Sequence, residues 1–544
     1  MADMGKANFT GLFGFFVAII VVLCGASLLK GGFYIGKHEG DTYHLLQIVL
    51  RMAEGQVPHL DFMTPIGVLA FAPISFFVSL GFGVGASILL AQTLVAIVFL
   101  PALFWVAFSR LRGPLPYFFG FVVLVLISAL VHGEAQGSVS ISMHYNRWSW
   151  AAAFIAISAA VLPSIGAARP RVDGVIIGLA LAFLMLTKIT YFAAFSIPIV
   201  VALLARRSAG TLIMALISGA SALAVVTLIY GPTYWLAYFG NVLTVAGSDF
   251  RAFPGEPIGA VVGAPAYIGA SLLLVGGVVL LRQSGKAVGG LSLLLLTPGF
   301  FYVTYQNFGN DPQWLLLLAV LLLASLPAAD TRNGLGWDMR NAVRVTAFMA
   351  LAMAAPSFFN LVFSPFRHLA ADVTEYTQLL PKSEQHSDIY TTNIRAARTN
   401  IQVPLVKVGS AFDAYTDLAD DAELSVFKGE VLPHCELLIG LTAWFDVIVT
   451  DLDQAGFTQG KGIFAADLFS SHWLFGNSVP LKGGSPWYYG GLPGLSDADY
   501  LLVPLCPILP GVRQQILAEI EATDLEFSEI HRTSLYILFE PAKG

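Results

Sequence analysis

Charged side chains are scarce in this chain. Of its 544 residues only 12% are charged and 56% are hydrophobic, and the mean hydropathy is +0.73. Because a typical soluble domain is about one quarter charged, this composition excludes such a domain and indicates a polytopic membrane protein. The chain also lacks internal repeats, low-complexity tracts and any metal-type spacing of Cys and His.

Cysteine is rare as well, with three residues in all. Cys24 lies inside the first apolar stretch, which is typical of a small core residue. Cys435 and Cys506 lie near the C-terminus, and the sequence leaves two alternatives for them: a disulfide outside the cytosol, or two buried free thiols. No A-x-A cleavage site follows residues 10–30, so we expect them to remain as a membrane helix.

The few charges are unevenly distributed. Before residue 366 there are 18 Lys and Arg against 12 Asp and Glu, a net charge of +6. From residue 366 onward there are 11 against 23, a net charge of −12. An apolar, slightly basic part followed by an acidic, water-compatible part predicts a transmembrane domain over residues 1–365 and a small extracytoplasmic domain over residues 366–544.

Eleven apolar stretches are long enough, or nearly so, to cross a bilayer as helices. They lie at about 10–32, 84–109, 116–132, 148–165, 174–187, 189–205, 211–230, 264–281, 288–305, 314–329 and 342–364. A further stretch at 65–82 is interrupted by Pro65, Pro73 and several glycines. We predict that it forms a helix along the outer surface.

Positive charges support this count. With the N-terminus in the cytosol, each of the five short inner connections carries at least two Lys or Arg, beginning with Arg110 and Arg112. This is the distribution that the positive-inside rule describes. Counting 65–82 as a span would place all of these cations outside, so we predict eleven spans.

The tail alternates helical and strand-like patterns. Residues 403–408, 445–450, 500–504 and 534–539 are predicted to be strands, and residues 514–520 a helix. The predicted fold class is therefore a polytopic α-helical membrane protein with a small C-terminal α/β domain.

In the first outer loop, Asp41 and Asp61 are the leading candidates for catalysis, and Glu39 and His59 are candidates for substrate binding. Glu39 and Asp41 follow the first span, and Asp61 comes later with His59 beside it. A carboxylate at a bilayer surface could act as a general base on a hydroxyl, or hold a divalent cation against a phosphate. Alternatively, Asp41 could simply be the N-cap of the helix-like run 43–52.

The second outer loop supplies Glu134, followed by His144, Asn146 and Arg147 at the start of the fourth span. Arg147 could bind phosphate through two hydrogen bonds, or extend to lipid headgroups. We favour a functional role for this cluster as a whole, not for any single member.

Two further cations complete the candidates. Lys188 lies between two apolar stretches, where a cation is costly unless it faces a cavity or an anion. Arg251 lies in a later outer loop, where it could contact the phosphate or the sugar of a substrate, although a solvated charge is the simpler interpretation.

Taken in order along the chain, these residues resemble the GT-C fold of lipid-dependent membrane glycosyltransferases, which include protein O-mannosyltransferases and the lipid A aminoarabinose transferase. The resemblance covers roughly residues 10–330, and it rests on Glu39-Gly40-Asp41, Gly55, Asp61, Thr64-Pro65 and Thr187-Lys188.

This resemblance implies a sugar donor carried on a polyprenyl phosphate and an acceptor that is an envelope glycan, a lipid or a protein. It also implies a location in the bacterial inner membrane, with the tail in the periplasm. Asp41 would be the catalytic base, and Lys188 and Arg147 would hold the donor phosphate. Many relatives carry a second acid where this chain has Asn146, so Glu134 or Asp61 could replace it. A divalent cation is a possible cofactor, and we expect no nucleic-acid partner.

Two other functions are compatible with the sequence. A transporter or flippase of lipid-linked saccharides would require paired ionisable residues or broken helices at mid-membrane, and by the boundaries above there are no such pairs. A membrane anchor for the tail would leave the acidic first loop unexplained.

Overall fold

The computed structural model describes residues 5, 7–133, 135–250, 265–306, 311–402 and 425–542 of the chain. Each of the eleven predicted stretches forms a helix. These helices are α1 (Phe9–Leu28), α4 (Val84–Arg110), α5 (Leu115–Ser128), α6 (His144–Val161), α7 (Pro170–Thr187), α8 (Ile189–Ala205), α9 (Ala209–Tyr230), α11 (Pro265–Gln283), α12 (Ala287–Gln306), α13 (Trp314–Ala324) and α14 (Met339–Leu369).

Among the described residues, seven of these helices are long and apolar enough to cross a membrane: α1, α4, α7, α9, α11, α12 and α14. Helices α5, α8 and α13 are apolar but shorter. The predicted fold class is therefore confirmed, while the number of crossings and the direction of each remain predictions.

Three helices lie outside this set in the first 250 residues. They are α2 (Glu39–Ala53), α3 (Ala72–Ser79) and α10 (Thr233–Ala246). Helix α3 has eight residues and is therefore only about 12 Å long, too short for a hydrocarbon core of about 30 Å. Helix α10 was not predicted, since its region was assigned to an outer loop. It buries Tyr234 and Tyr238 one turn apart and exposes Leu236 and Leu243, which is the pattern of a surface helix.

The C-terminal region has mixed structure. Its helices are α15 (Asn393–Ala397), α16 (Leu441–Ala455) and α17 (Pro510–Glu521). Its strands are β2 (Tyr376–Gln378), β3 (Ile389–Thr392), β4 (Asn400–Gln402), β5 (Val426–Phe427), β6 (Glu430–Val431), β7 (Glu436–Ile439), β8 (Ile463–Ala465), β9 (Tyr500–Pro504), β10 (Phe527–Arg532) and β11 (Tyr536–Pro541).

A four-stranded sheet in the order β10-β11-β9-β8 forms the centre of the C-terminal domain. Strands β8 and β9 are parallel, and the other pairings are antiparallel. Strands β9 and β11 and helix α17 confirm three of the tail predictions. Cys435 and Cys506 form a disulfide, which decides between the two alternatives that the sequence left open.

One tail prediction was wrong, and another lies outside the described residues. Residues 445–450 belong to helix α16 and do not form a strand. The run of β-branched residues was misleading, because the buried positions Leu441, Phe445, Ile448 and Leu452 repeat with the helical period. The strand predicted at 403–408 lies outside the described residues.

The C-terminal domain contacts the first outer loop through the backbone. Strand β1 (Phe33–Ile35), which directly follows α1, pairs in parallel with β3, and β2 pairs with the other edge of β3. This three-stranded sheet combines a strand that follows the first membrane helix with two strands that follow the last one. It therefore fixes the first loop against the C-terminal domain.

Asp388, just before β3, is far from α4 in the sequence but caps the N-terminal end of that helix. Its two carboxylate oxygens accept hydrogen bonds from the backbone N–H groups of Gly85 (2.9 Å) and Ala86 (2.7 Å) at the start of α4. These N–H groups have no partner inside the helix, and an anion at this end interacts favourably with the helix dipole.

We predict that Asp388→Ala destabilises the folded protein by about 1–2 kcal/mol, the usual effect of removing a helix cap. Thermal denaturation of the purified protein in detergent measures this as a lower Tm. Asp388→Asn is the matched control, because an amide oxygen still accepts a hydrogen bond. A Tm of Asp388→Ala equal to that of the natural chain would contradict the capping role.

Candidate functional site

Helix α2 carries two of the predicted acids. It begins at Glu39, and its N-cap is His38, which adopts a left-handed backbone conformation with φ of 64°. Asp41 is therefore in the first turn and is not the N-cap, so this alternative interpretation of Asp41 is wrong. Carboxylates in a first turn still interact favourably with the helix dipole.

Glu39 is almost completely buried, and it pairs with the C-terminal domain. Arg395 in helix α15 donates from Nε to both carboxylate oxygens of Glu39, at 3.0 and 2.7 Å. The Glu39 side chain is 2% exposed and that of Arg395 is 31% exposed. Glu39 was predicted to bind substrate, but in the structure its carboxylate joins the first loop to the tail.

The two outer loops are hydrogen-bonded to each other in register. The N–H of Gly36 donates to the carbonyl of Val139 at 2.9 Å, and His38 Nδ1 lies 3.0 Å from Ser140 Oγ. Next in order, Ser142 Oγ donates to Asp41 Oδ2 at 2.6 Å. The half-buried Asp41 carboxylate is thus positioned by the second loop.

Arg147 is buried among backbone carbonyl groups. It is 1% exposed, and its guanidinium donates to the backbone carbonyls of Ala129 (3.0 Å), Ser142 (3.4 Å), His132 (3.4 Å) and Val131. The side chain therefore joins the end of α5 to the loop before α6. It neither extends to lipid headgroups nor lies at the surface, and both predicted roles for Arg147 required access from outside.

Other members of the second-loop cluster are also buried. His144 Nε2 is 2.8 Å from the carbonyl oxygen of Ala70, which ties α6 to the first loop. The amide of Asn146 is 2% exposed and has no hydrogen-bond partner among the described residues. Glu134 lies outside the described residues.

Lys188 is the single residue between α7 and α8, and it lines a cavity. Its side chain is 6% exposed, and its ammonium lies 5.0 Å from the centre of the Tyr145 ring. The cavity, of about 180 Å³, has mostly apolar walls. The lining residues come from the first loop, the α7–α8 junction, α10 and α12: Pro65, Ile66, Lys188, Ile189, Thr190, Val242, Val245, Ala246, Tyr302 and Gln306.

A glycine holds the first loop against this junction. The N–H of Gly67 donates to the carbonyl of Thr187 at 3.1 Å. A Cβ at position 67 would lie 2.2 Å from the carbonyl oxygen of Leu186, closer than any real contact. Only glycine permits this approach, which brings the loop to the wall of the Lys188 cavity.

Asp61 has a local partner in the first loop, whereas His59 packs against helix α10. Asp61 is exposed, and its carboxylate accepts from the N–H of Val57 at 2.6 Å, which stabilises a turn. His59 is buried against Tyr238, with ring centres 4.6 Å apart, and burial lowers the pKa of His59 to about 3. It is therefore neutral at physiological pH and provides no charge for a phosphate. Arg251 lies outside the described residues.

Asp41 and Lys188 both contact the short segment 142–145. Asp41 contacts it through Ser142 and Lys188 through Tyr145, three residues further on. Three residues span at most about 11 Å of chain. The segment 142–145 thus connects a reachable carboxylate to a cation beside an apolar cavity.

Several residues that hold the site together were not identified from the sequence. Ser142 lies in a loop and Arg395 in a short helix. Because their partners are distant in the chain, no local sequence pattern indicates these contacts. Gln47 is the clearest case, because it is completely buried in α2 and contacts Ser470, Ser471 and the carbonyl of Pro486 in the tail. A glutamine on the apolar face of an amphipathic helix was the only available signal.

No cluster of three or more His, Cys, Asp or Glu that could hold a metal ion occurs within the described ranges. Because Glu134 lies beyond these ranges, the divalent cation remains a prediction from the resemblance.

The fold defines a mostly helical membrane protein with a small C-terminal sheet domain, and the candidate site lies in the loops between its helices. No family model matches the chain, and no curated protein matches its sequence. Among solved structures, the chain is similar to ArnT from Cupriavidus metallidurans in the apo state. The two share 12% identity over 97% of this chain and 98% of that one, with a TM-score of 0.37. So loose an overlap does not define corresponding residues.

We predict that Arg147→Gln mainly impairs folding. A shorter, neutral side chain leaves several buried carbonyls unpaired, each of which costs about 1–3 kcal/mol. Size-exclusion chromatography of the detergent-extracted protein should therefore show a smaller monodisperse fraction and a lower Tm. The matched control is Arg112→Gln, at the other end of α5. A well-folded Arg147→Gln protein with an unchanged Tm would contradict this structural role.

Proposed function

We propose that this protein is an integral membrane glycosyltransferase that moves a sugar from a polyprenyl phosphate to a hydroxyl group of an extracytoplasmic acceptor. One observation carries the proposal: Asp41, a reachable carboxylate, and Lys188, a cation beside an apolar cavity, both contact the segment 142–145. A general base and a phosphate-binding cation are the two groups that this transfer requires.

The Lys188 cavity suits one part of the donor. Ile66 and Ile189 with Val242 and Val245 offer an apolar surface to the first isoprene units. The ammonium of Lys188 is at the polar end of the same cavity, where it balances the phosphate charge. A cation that is 6% exposed binds an anion more strongly than one in water, because the local dielectric constant is lower.

The chemistry follows from these positions. The Asp41 carboxylate accepts the proton of the acceptor hydroxyl as its oxygen bonds to the anomeric carbon of the sugar. The bond from that carbon to the phosphate oxygen breaks, and its electron pair remains on the phosphate, whose growing charge Lys188 stabilises. Direct displacement inverts the configuration at the anomeric carbon.

The hydrogen bond from Ser142 serves this role. It fixes the orientation of Asp41 while the residue remains half-buried and accessible to an acceptor. Pre-orientation of this kind reduces the entropy lost on reaching the transition state. The acceptor would approach from the outer aqueous side, where the C-terminal domain lies, and the protein would be in a bacterial inner membrane.

We predict that Asp41→Asn lowers the rate of sugar transfer by about 10²–10⁴-fold, the usual contribution of a general base. Asparagine keeps the shape and can still accept the bond from Ser142, so the Tm should not change. The measurement is release of free polyprenyl phosphate from a panel of polyprenyl-linked sugars by the purified protein. Asp372→Asn, an exposed acid in the tail, is the matched control. Undiminished transfer by Asp41→Asn would refute the assignment.

We predict that Lys188→Met raises KM for the polyprenyl-linked donor by about tenfold or more, equivalent to about 1.4 kcal/mol of lost binding. Methionine fills a similar volume without the charge, and Lys188→Arg, which keeps the charge, should retain more donor affinity. Donor-dependent kinetics of the three proteins provide the test. Equal KM values would show that the phosphate binds elsewhere.

A further inference from the structure

A second and larger cavity opens on the outer side, between the first loop and the C-terminal domain. Its volume is about 520 Å³, within the range of about 300–1,000 Å³ typical of ligand sites. Its walls come from the ends of α2 and α3, the segment 380–386 between β2 and β3, and a single helical turn, Ser471–Phe475. We call it the interdomain cleft. None of its lining residues belongs to the Lys188 cavity.

An aromatic ring on the wall of this cleft is held in place from behind. Trp473 donates from its indole N–H to Gln47 Oε1 at 3.2 Å, and its ring lies 5.9 Å from the Arg51 guanidinium. Arg51 itself is completely buried. These contacts fix the ring before any ligand arrives, so a flat apolar surface is available without a large entropic cost.

The remaining polar groups of the cleft are mostly neutral. Ser79, Ser383 and Gln385 contribute hydroxyl and amide groups, which can both donate and accept hydrogen bonds. Burial lowers the pKa of His386, an effect that Asp388 partly opposes, so its imidazole is neutral at physiological pH. An aromatic face beside neutral donors and acceptors is suited to a sugar ring, which has apolar C–H faces and a rim of hydroxyls.

The charges of the cleft disfavour an anionic ligand. Its one lining lysine, Lys382, already donates to Thr450 Oγ1 at 2.8 Å and lies 3.4 Å from Asp446 and 3.8 Å from Asp453. Two carboxylates therefore compensate its charge. Glu54 adds a further acid to the wall, so a phosphate or carboxylate in the cleft would meet a net negative surface.

We propose that the interdomain cleft binds an uncharged saccharide that forms the distal part of an extended acceptor. This use of the cleft rests on the proposed glycosyl transfer at Asp41, whereas saccharide binding itself does not. Along α2, Asp41 and Ala53 are twelve residues apart, which corresponds to about 18 Å. A single sugar ring cannot cover this distance. The acceptor must therefore be an oligosaccharide, one end of which is held in the cleft while another presents its hydroxyl to Asp41.

The experiment uses the full-length Asp41→Asn protein in detergent, which binds without turnover. It is titrated with uncharged hexose tetrasaccharides of several linkages and with a phosphorylated counterpart, and binding is followed by saturation-transfer NMR and tryptophan fluorescence. We expect at least one uncharged tetrasaccharide to bind, and the phosphorylated one to bind more weakly.

Second-site variants locate the binding. Ser79→Tyr places a large side chain at the exposed rim of the cleft without removing any contact between the domains. It should weaken saccharide binding by about tenfold or more. Glu54→Gln removes the negative charge of the acid that lines the cleft. Its matched control is Glu384→Gln, an exposed neighbour that does not line the cleft, which should bind as before.

The proposal would be overturned if no uncharged tetrasaccharide binds, or if Ser79→Tyr binds as tightly as its parent. Tighter binding of the phosphorylated saccharide would do the same. Lys188→Met separates this proposal from the proposed function. If Lys188→Met raises KM for the donor while tetrasaccharide binding persists, both proposals stand. If the natural protein uses no polyprenyl donor but still binds saccharide through the cleft, only the proposed transfer chemistry fails.

Discussion

The burial of one polar helix organises this molecule. Helix α2 carries Glu39, Gln47 and Arg51, all almost completely buried, between the membrane domain and the C-terminal domain. A buried charge or amide is costly unless it is hydrogen-bonded. The partners of these side chains come from the tail: Arg395 for Glu39, Ser471 for Gln47 and the carbonyl of Leu481 for Arg51. The position of α2 therefore depends on the docking of the C-terminal domain.

The proposed base Asp41 and the interdomain cleft both depend on this docking. Asp41 is near the start of α2, and the interdomain cleft is at its end. Between them, Tyr43 is completely buried and hydrogen-bonded to Thr442 of the tail. A rigid element that connects two sites holds their separation constant, which is what precise positioning of an extended substrate requires. In the proposed arrangement the C-terminal domain therefore helps to form the site.

The sequence predicted the helical framework well and the site less well. All eleven apolar stretches form helices, because lipid exposure demands continuous apolar runs, and such runs are visible in sequence. Asp41 is half-buried and Lys188 lines a cavity, while their roles and their side of the membrane remain predictions. By contrast, the environments of Arg147 and Glu39 could not be anticipated, since their partners are backbone carbonyls or residues far along the chain. Helix α16 was mistaken for a strand because β-branched residues outweighed a helical burial period in a short window.

The pairing of Glu39 with Arg395 joins residues 356 positions apart. At a synthesis rate of about 5–20 residues per second, the partner of the first loop leaves the ribosome about 20–70 s later. During that interval Glu39, Gln47 and Arg51 of α2 lack the partners that the tail later supplies. The nascent chain must therefore hold an unfinished loop at the membrane surface while all later spans insert, and a chain that stops before the tail would be inserted but without a formed site.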